Sequence, residues 1–132
     1  MCYGATGLRT LGSKRRQIVP QTKDERIKEI DAATIKAWLE KGEAVLVDVR
    51  EAGEHAQACI PGAVLHPLSS FNPFQLPSHE EKTLVLHCAA GVRSLQAAEL
   101  CLAAGFEKIT HVKGGIKAWQ EAGFETEKGS KT

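Results

Sequence analysis

The tract Leu84-Val85-Leu86-His87-Cys88-Ala89-Ala90-Gly91-Val92-Arg93-Ser94 carries the residues best suited to chemistry. It reads as an apolar strand, a short loop and the start of a helix, with Cys88 between strand end and helix N-terminus. Successive backbone N–H groups of such a loop and first helical turn converge on the sulfur as an anion-binding nest. The helix dipole adds positive potential at the same point, and so does Arg93. All three favour thiolate over thiol, and the thiolate is the nucleophile. Small residues at 89–91 let the backbone close around the sulfur. A cysteine at a strand end is more often a small buried hydrophobe; the loop position and Arg93 argue for a nucleophile here.

The remaining thiols and imidazoles read more plainly. Cys2, Cys59, Cys88 and Cys101 form no CxxC pair and the five histidines supply no HxxxH, so no metal site is expected. Nor does the spacing suggest a disulfide framework; reduced thiols in a cytoplasm-like compartment are the natural reading. Cys101, beside Leu102 in a helical stretch, reads as core filler. Cys59 has the same reading, with a redox or resolving role toward Cys88 as its alternative. His87 faces the core or the strand edge. A general-base role is its alternative, although a thiolate already formed needs no base.

These residues must be positioned by the elements around them. Ile27 to Ile30 reads as a short strand, and Asp31 as the N-cap of a helix with Ile35, Trp38 and Leu39 on one face, stopped by Gly42. Ala44–Val49 and Thr83–His87 are apolar runs without alternation, the pattern of strands buried on both faces. Ala63–Leu65 is a weaker strand after the Pro61-Gly62 turn. Residues 66–82, with Pro67, Pro73 and Pro77, read as a surface excursion. Ser94–Ala104 reads as a helix with Gly105 as its C′ residue. Lys108–Val112 is the last strand, and a closing helix from Gly114 carries Ile116 and Trp119 to Gly123. Strands alternating with helices predict an α/β fold with a doubly wound, mainly parallel sheet of about five strands flanked by helices.

At 132 residues, 42% hydrophobic and 25% charged, the chain has the balance of one ordinary globular domain. A net charge of +1 suggests neither nucleic acid nor an anionic membrane as a partner, and no apolar run approaches the roughly 20 residues that span a bilayer. The charge is uneven. Residues 1–20 hold Arg9, Lys14, Arg15 and Arg16 and no acid, which leaves the rest at −3. Residues 1–25 therefore read as a flexible basic N-terminal arm and 26–132 as the domain. A mitochondrial presequence is the alternative for the arm, against which Gly4, Gly7 and Gly12 interrupt any amphipathic helix. Cytoplasmic location is the first expectation.

The tract Cys-x4-Arg after a buried strand resembles the active-site loop of the rhodaneses, the thiosulfate sulfurtransferase superfamily. Three further segments resemble that family in the same order. These are Val47-Asp48-Val49-Arg50 with Glu54 (its D-x-R…E segment), Ile60-Pro61-Gly62-Ala63 (its IPGA turn), and Val112-Lys113-Gly114-Gly115-Ile116-Lys117-Ala118-Trp119 with Gly123 (its GG-x-x-AW…G signature). Any one of these is weak; four in order are specific, and together they cover roughly residues 26–125. His55 stands where the family usually has an aromatic residue.

The resemblance implies double displacement without metal or organic cofactor. Cys88 would take the outer sulfur of a small donor such as thiosulfate as a persulfide and pass it to cyanide, a thiol or a protein cysteine. The amides of Ala89, Ala90, Gly91, Val92, Arg93 and Ser94 would cradle the persulfide, and Arg93 would help bind an anionic donor. Asp48 and Arg50 would brace the loop, with a purely structural ion pair and a direct substrate role both open. Two rivals use the same parts. Phosphatase or arsenate-reductase loops place five residues between Cys and Arg, where this chain has four. A non-enzymatic regulatory or sulfur-carrier binding module could use the same fold, although Cys88 and Arg93 are both retained.

Overall fold

The apolar runs at 44–48 and 83–87 become largely buried strands because each must cover both of its faces. In the computed structural model, which describes residues 24–79 and 81–129, the strands are β1 (Ile27–Ile30), β2 (Ala44–Asp48), β3 (Val64–Leu65), β4 (Thr83–His87) and β5 (Ile109–Val112). They form one five-stranded sheet in the order β1-β5-β4-β2-β3 with every neighbouring pair parallel. The helices are α1 (Ala32–Glu40), α2 (Ala52–Gln57), α3 (Val92–Ala103) and α4 (Gly115–Glu121).

Alternation along the strands sends side chains into two cores. Leu46, Val85 and Val112 pack with Ile35 of α1 and with Ile116 and Trp119 of α4. Val47, Leu84, Leu86 and Ile109 pack with Ala97, Ala98 and Cys101 of α3. Helices thus cover both faces, and the sheet is doubly wound, as the alternating elements predict. Each fully buried aliphatic side chain adds roughly 1.5–3 kcal/mol.

The local signals explain most boundaries. Asp31 caps α1 by accepting from the Thr34 amide at 2.9 Å. α3 starts at Val92, two residues earlier than its sequence pattern suggests, because the loop turns at Gly91 rather than after it. Residues 66–79 form most of the expected excursion, with two single turns of 3-10 helix at Leu68–Ser70 and Pro73–Gln75. α2 has no counterpart in the sequence reading. Its six residues include Gly53 and carry no apolar stripe, and it is held at its start by a reciprocal Glu51–Glu54 capping box.

The C-terminal segment returns to the site end of the sheet, where Cys59 and Glu127 exchange backbone hydrogen bonds of 2.7 and 2.9 Å. No helix among the described residues is long and apolar enough to cross a membrane. The expected arm at 1–25 lies, apart from Asp24 and Glu25, outside the described residues.

Candidate active site

Cys88 follows the last residue of β4, and the chain turns at Gly91, whose φ of 109° makes it a left-handed cap for α3. This turn points the Gly91 N–H back at the sulfur, where it donates to Sγ at 3.1 Å. The Ser94 hydroxyl lies 3.6 Å from the same sulfur. Of the six residues expected to cradle sulfur, Gly91 and Ser94 are therefore the ones in polar contact with it. Ala89 is half-buried, whereas Ala90 and Val92 are exposed on the loop's outer side.

The loop is closed from behind by the start of α4. Ile116 donates to the Cys88 carbonyl at 2.9 Å and Lys117 to the Ala89 carbonyl at 3.1 Å. The approach leaves no room for a side chain at Gly115, since a Cβ there would sit 2.6 Å from the Ala89 oxygen and closer still to that of Cys88. Gly115 is thus a packing requirement of the loop.

Arg93 is not a free cation. Its guanidinium forms a two-pronged pair with Glu54, at 2.8 and 3.0 Å, that ties α3 to α2. The Arg93 hydrogen bonds hold the Glu54 carboxyl down at about 2, and Glu54 in turn raises the Arg93 pKa, with a smaller contribution from the charge of Cys88. Any anionic donor must share Arg93 with this carboxylate.

The expectation that Asp48 and Arg50 brace the 88–94 loop needs correction. Asp48 ends β2 on the face opposite the Val47–Val49–Cys88 cluster. Its buried carboxylate accepts from the Arg50 backbone at 2.9 Å, from Arg50 Nε at 3.0 Å and Nη2 at 2.8 Å, and meets His55 Nδ1 at 2.9 Å. Arg50 also donates to the Ala58 carbonyl at 2.6 Å. The pair therefore anchors α2 and the turn before Ile60. Burial pushes the Asp48 carboxyl up, but the Arg50 hydrogen bonds, the nearby His87 and the His55 hydrogen bond outweigh it and bring the pKa down to about 2.

His87 belongs to this second cluster. Its Nδ1 lies 3.3 Å from the Cys88 carbonyl, and its Nε2 faces Asp48 at 3.9 Å with no hydrogen-bond partner. Burial lowers its pKa to about 4 against the opposing pull of Asp48, so at neutral pH the contact is not an ion pair. Its ring is turned to Asp48 rather than to the sulfur. Cys59 sits in the bridge to Glu127, and burial raises its thiol pKa. Cys101 lies inside α3, pushed up to about 11 by burial; Cys2 is outside the described residues. Among the described residues, no group of three or more His, Cys, Asp or Glu is placed to hold a metal.

Sequence reasoning missed two histidines. His55 sits in a helix with no periodic signal. His111 is the titratable residue of the fully buried strand β5, and its Nδ1 meets the Ser94 hydroxyl at 2.9 Å. Its only signal in the sequence is a titratable side chain in a strand that otherwise reads as core.

Comparison with known proteins agrees with this fold. The rhodanese-like domain family model matches residues 31–122. An uncharacterised Synechocystis protein is 42% identical over 95 residues, covering 72% of this chain and 53% of its own length; the chain thus spans about half of that relative. A sulfurtransferase of Allochromatium vinosum is 32% identical over 99 residues, covering 74% of this chain and 92% of that protein. Among solved structures, a rhodanese-related protein from Thermoplasma volcanium has a TM-score of 0.66 at 28% identity, covering 76% of this chain and 97% of that one.

Proposed function

Because the chain belongs to the rhodanese-like domain family, we propose that it is a sulfurtransferase of the thiosulfate type, with Cys88 as the residue that carries sulfur. The observation behind this reading is the 3.1 Å hydrogen bond from the Gly91 amide to Cys88 Sγ at the N-terminus of α3. An amide aimed at a sulfur favours the anionic form, whether the thiolate or the terminal sulfur of a persulfide.

The Cys88 thiolate attacks the outer sulfur of thiosulfate. A new S–S bond forms, and the bond to the sulfonate sulfur breaks as sulfite leaves with its electron pair. An acceptor thiolate, or cyanide, then attacks the outer sulfur of the persulfide, and Cys88 leaves as thiolate. Neither half-reaction needs a metal or an organic cofactor. Arg93 contributes charge toward an anionic donor only in competition with Glu54. The acceptor in a cell is a small thiol or a protein cysteine, in a compartment that keeps thiols reduced.

The test is mass spectrometry of the full chain after thiosulfate treatment. One added sulfur on the peptide holding Cys88, removed again by cyanide, is the expected result. No added sulfur, or sulfur on Cys59 or Cys101 instead, would overturn the reading. Parallel rates with thiosulfate and 3-mercaptopyruvate would then define the donor class.

A further inference from the structure

Cys88 is 0% exposed, and Arg93, the cation on its loop, is already paired with Glu54. A buried thiolate in that setting needs a second source of positive charge. The polar side chain beside the sulfur is Ser94, itself fully buried, with its Oγ 3.6 Å from Sγ. On its far side Ser94 meets His111 Nδ1 at 2.9 Å, and His111 Nε2 faces the Glu29 carboxylate at 3.9 Å. Four elements contribute to this line: the end of β4, the first turn of α3, β5 and β1. Register keeps it on one face, because His111 lies beside Leu86 in the β4–β5 ladder and beside Glu29 in the β1–β5 ladder. The line starts at a buried sulfur and ends at a half-exposed carboxylate.

We propose that His111 is a positioning residue that takes the Cys88 proton through Ser94, so that the thiolate forms as one half of a buried thiolate–imidazolium pair. The proposal rests on the reading of Cys88 as the sulfur carrier. In the step, the Cys88 S–H bond breaks and leaves its electron pair on sulfur. That proton passes to Ser94 Oγ while the Ser94 proton passes to the Nδ1 lone pair of His111. The hydrogen bonds thereby reverse. Before transfer Ser94 donates to Nδ1; afterwards Nδ1–H donates to Ser94, and Ser94 donates to the sulfur. Nε2–H meets Glu29 in both states. Nothing is oxidised or reduced, and net charge is unchanged.

The groups around the line suit this exchange. Burial lowers the His111 pKa, opposed by Glu29, so the ring is a neutral acceptor while Cys88 is a thiol. On α3 the facing charge is Arg93, compensated by Glu54; on β1 it is Glu29; on β4 it is Cys88 itself, since His87 turns to Asp48 on the other face. α4 packs on that other face as well. The competing contact is the Gly91 carbonyl, 3.3 Å from Ser94 Oγ, which holds the hydroxyl at the loop without accepting a proton.

The test uses the full chain and follows thiolate absorbance against pH, with Cys88→Ser as the blank. His111→Gln keeps a hydrogen-bonding side chain but cannot accept the proton. It should cut the Cys88 thiolate fraction at neutral pH about tenfold, the effect of losing one nearby opposite charge, and move the whole profile to higher pH. Ser94→Ala should do the same, Ser94→Thr should restore the original profile, and Glu29→Gln should give a smaller displacement in the same direction. In the unsubstituted protein the His111 ring nitrogens, read by NMR, should titrate together with Cys88 and lose that step in Cys88→Ser. His111→Gln and Ser94→Ala profiles matching the original protein, or a ring indifferent to Cys88, would overturn the pair. If Cys88 accepts sulfur normally in such an outcome, the pair is wrong and the sulfurtransferase reading survives. If Cys88 accepts no sulfur although the profiles shift, the reverse holds.

Discussion

Cys59, Cys88 and Cys101 are all buried free thiols, and their surroundings separate them. Cys101 has only apolar neighbours and is held as a thiol up to about pH 11, whereas Cys88 meets an amide and a hydroxyl. Replacing Cys88 with serine should therefore abolish sulfur loading, because a hydroxyl is not ionised near neutral pH. Cys101→Ser should retain it, and loading measured by intact mass distinguishes the two. Arg93 and Glu54 give a sharper pair of expectations. Arg93→Ala should lower kcat/KM for thiosulfate about 10–100-fold, equivalent to roughly 1.4–2.7 kcal/mol, while Arg93→Lys recovers only part because lysine lacks the planar fork. Glu54→Gln should act the other way and lower KM for the anionic donor by freeing the guanidinium. Equal loss in both variants would mean that the pair serves only to join α2 to α3. The loop around Cys88 was legible because Cys88, the turn and the helix start are contiguous in the chain. The Asp48–Arg50 role was not, because it depends on which face of β2 each side chain takes. His111 escaped notice because its partner, Ser94, is brought to it by the packing of α3 on the sheet.

At the scale of elements, the sequence marks those whose stabilising interactions are periodic. β2, β4, α1 and α3 bury a face or two, so their apolar spacing announces them. α2 is built from a capping box, an ion pair to α3 and a histidine on Asp48, which leave no hydrophobic period. Two glycine substitutions separate these cases. In α2, Gly53 has open space where a Cβ would go, so Gly53→Ala should stabilise the protein by about 0.5–1 kcal/mol through helix propensity. Gly115 combines a φ of 62° with the close carbonyls of Cys88 and Ala89. Gly115→Ala should cost about 1–3 kcal/mol from overpacking, with left-handed strain in addition, and should reduce sulfur transfer by displacing the loop. Urea unfolding read beside kcat/KM checks both, and a neutral Gly115→Ala would show that α4 does not clamp the loop.

For the molecule as a whole, the buried polar cluster beneath the sheet's site end should decide its behaviour in acid. His87 is neutral when folded, with a pKa near 4 set by burial, against about 6.5 in an unfolded chain. Between those values the unfolded chain binds a proton that the folded one does not, so stability is complete above about pH 6.5 and falls as pH drops toward 4. The difference is on the order of 3 kcal/mol. Asp48 acts in a lower window. Its folded pKa of about 2 lies below the unfolded value of about 3.9, so its contribution is present above pH 4 and is lost between about 4 and 2. Glu54 titrates in that second window too, but its half-exposed pair with Arg93 carries little weight. The thermal midpoint should therefore fall in two stages as pH is lowered at constant ionic strength. His87→Gln should flatten the first stage and start the second at higher pH, because the nearby His87 helps hold the Asp48 carboxyl down. A His87→Gln protein whose midpoint still falls between pH 6.5 and 4 as steeply as the original would show that the imidazole is already charged inside the fold, paired across 3.9 Å with Asp48.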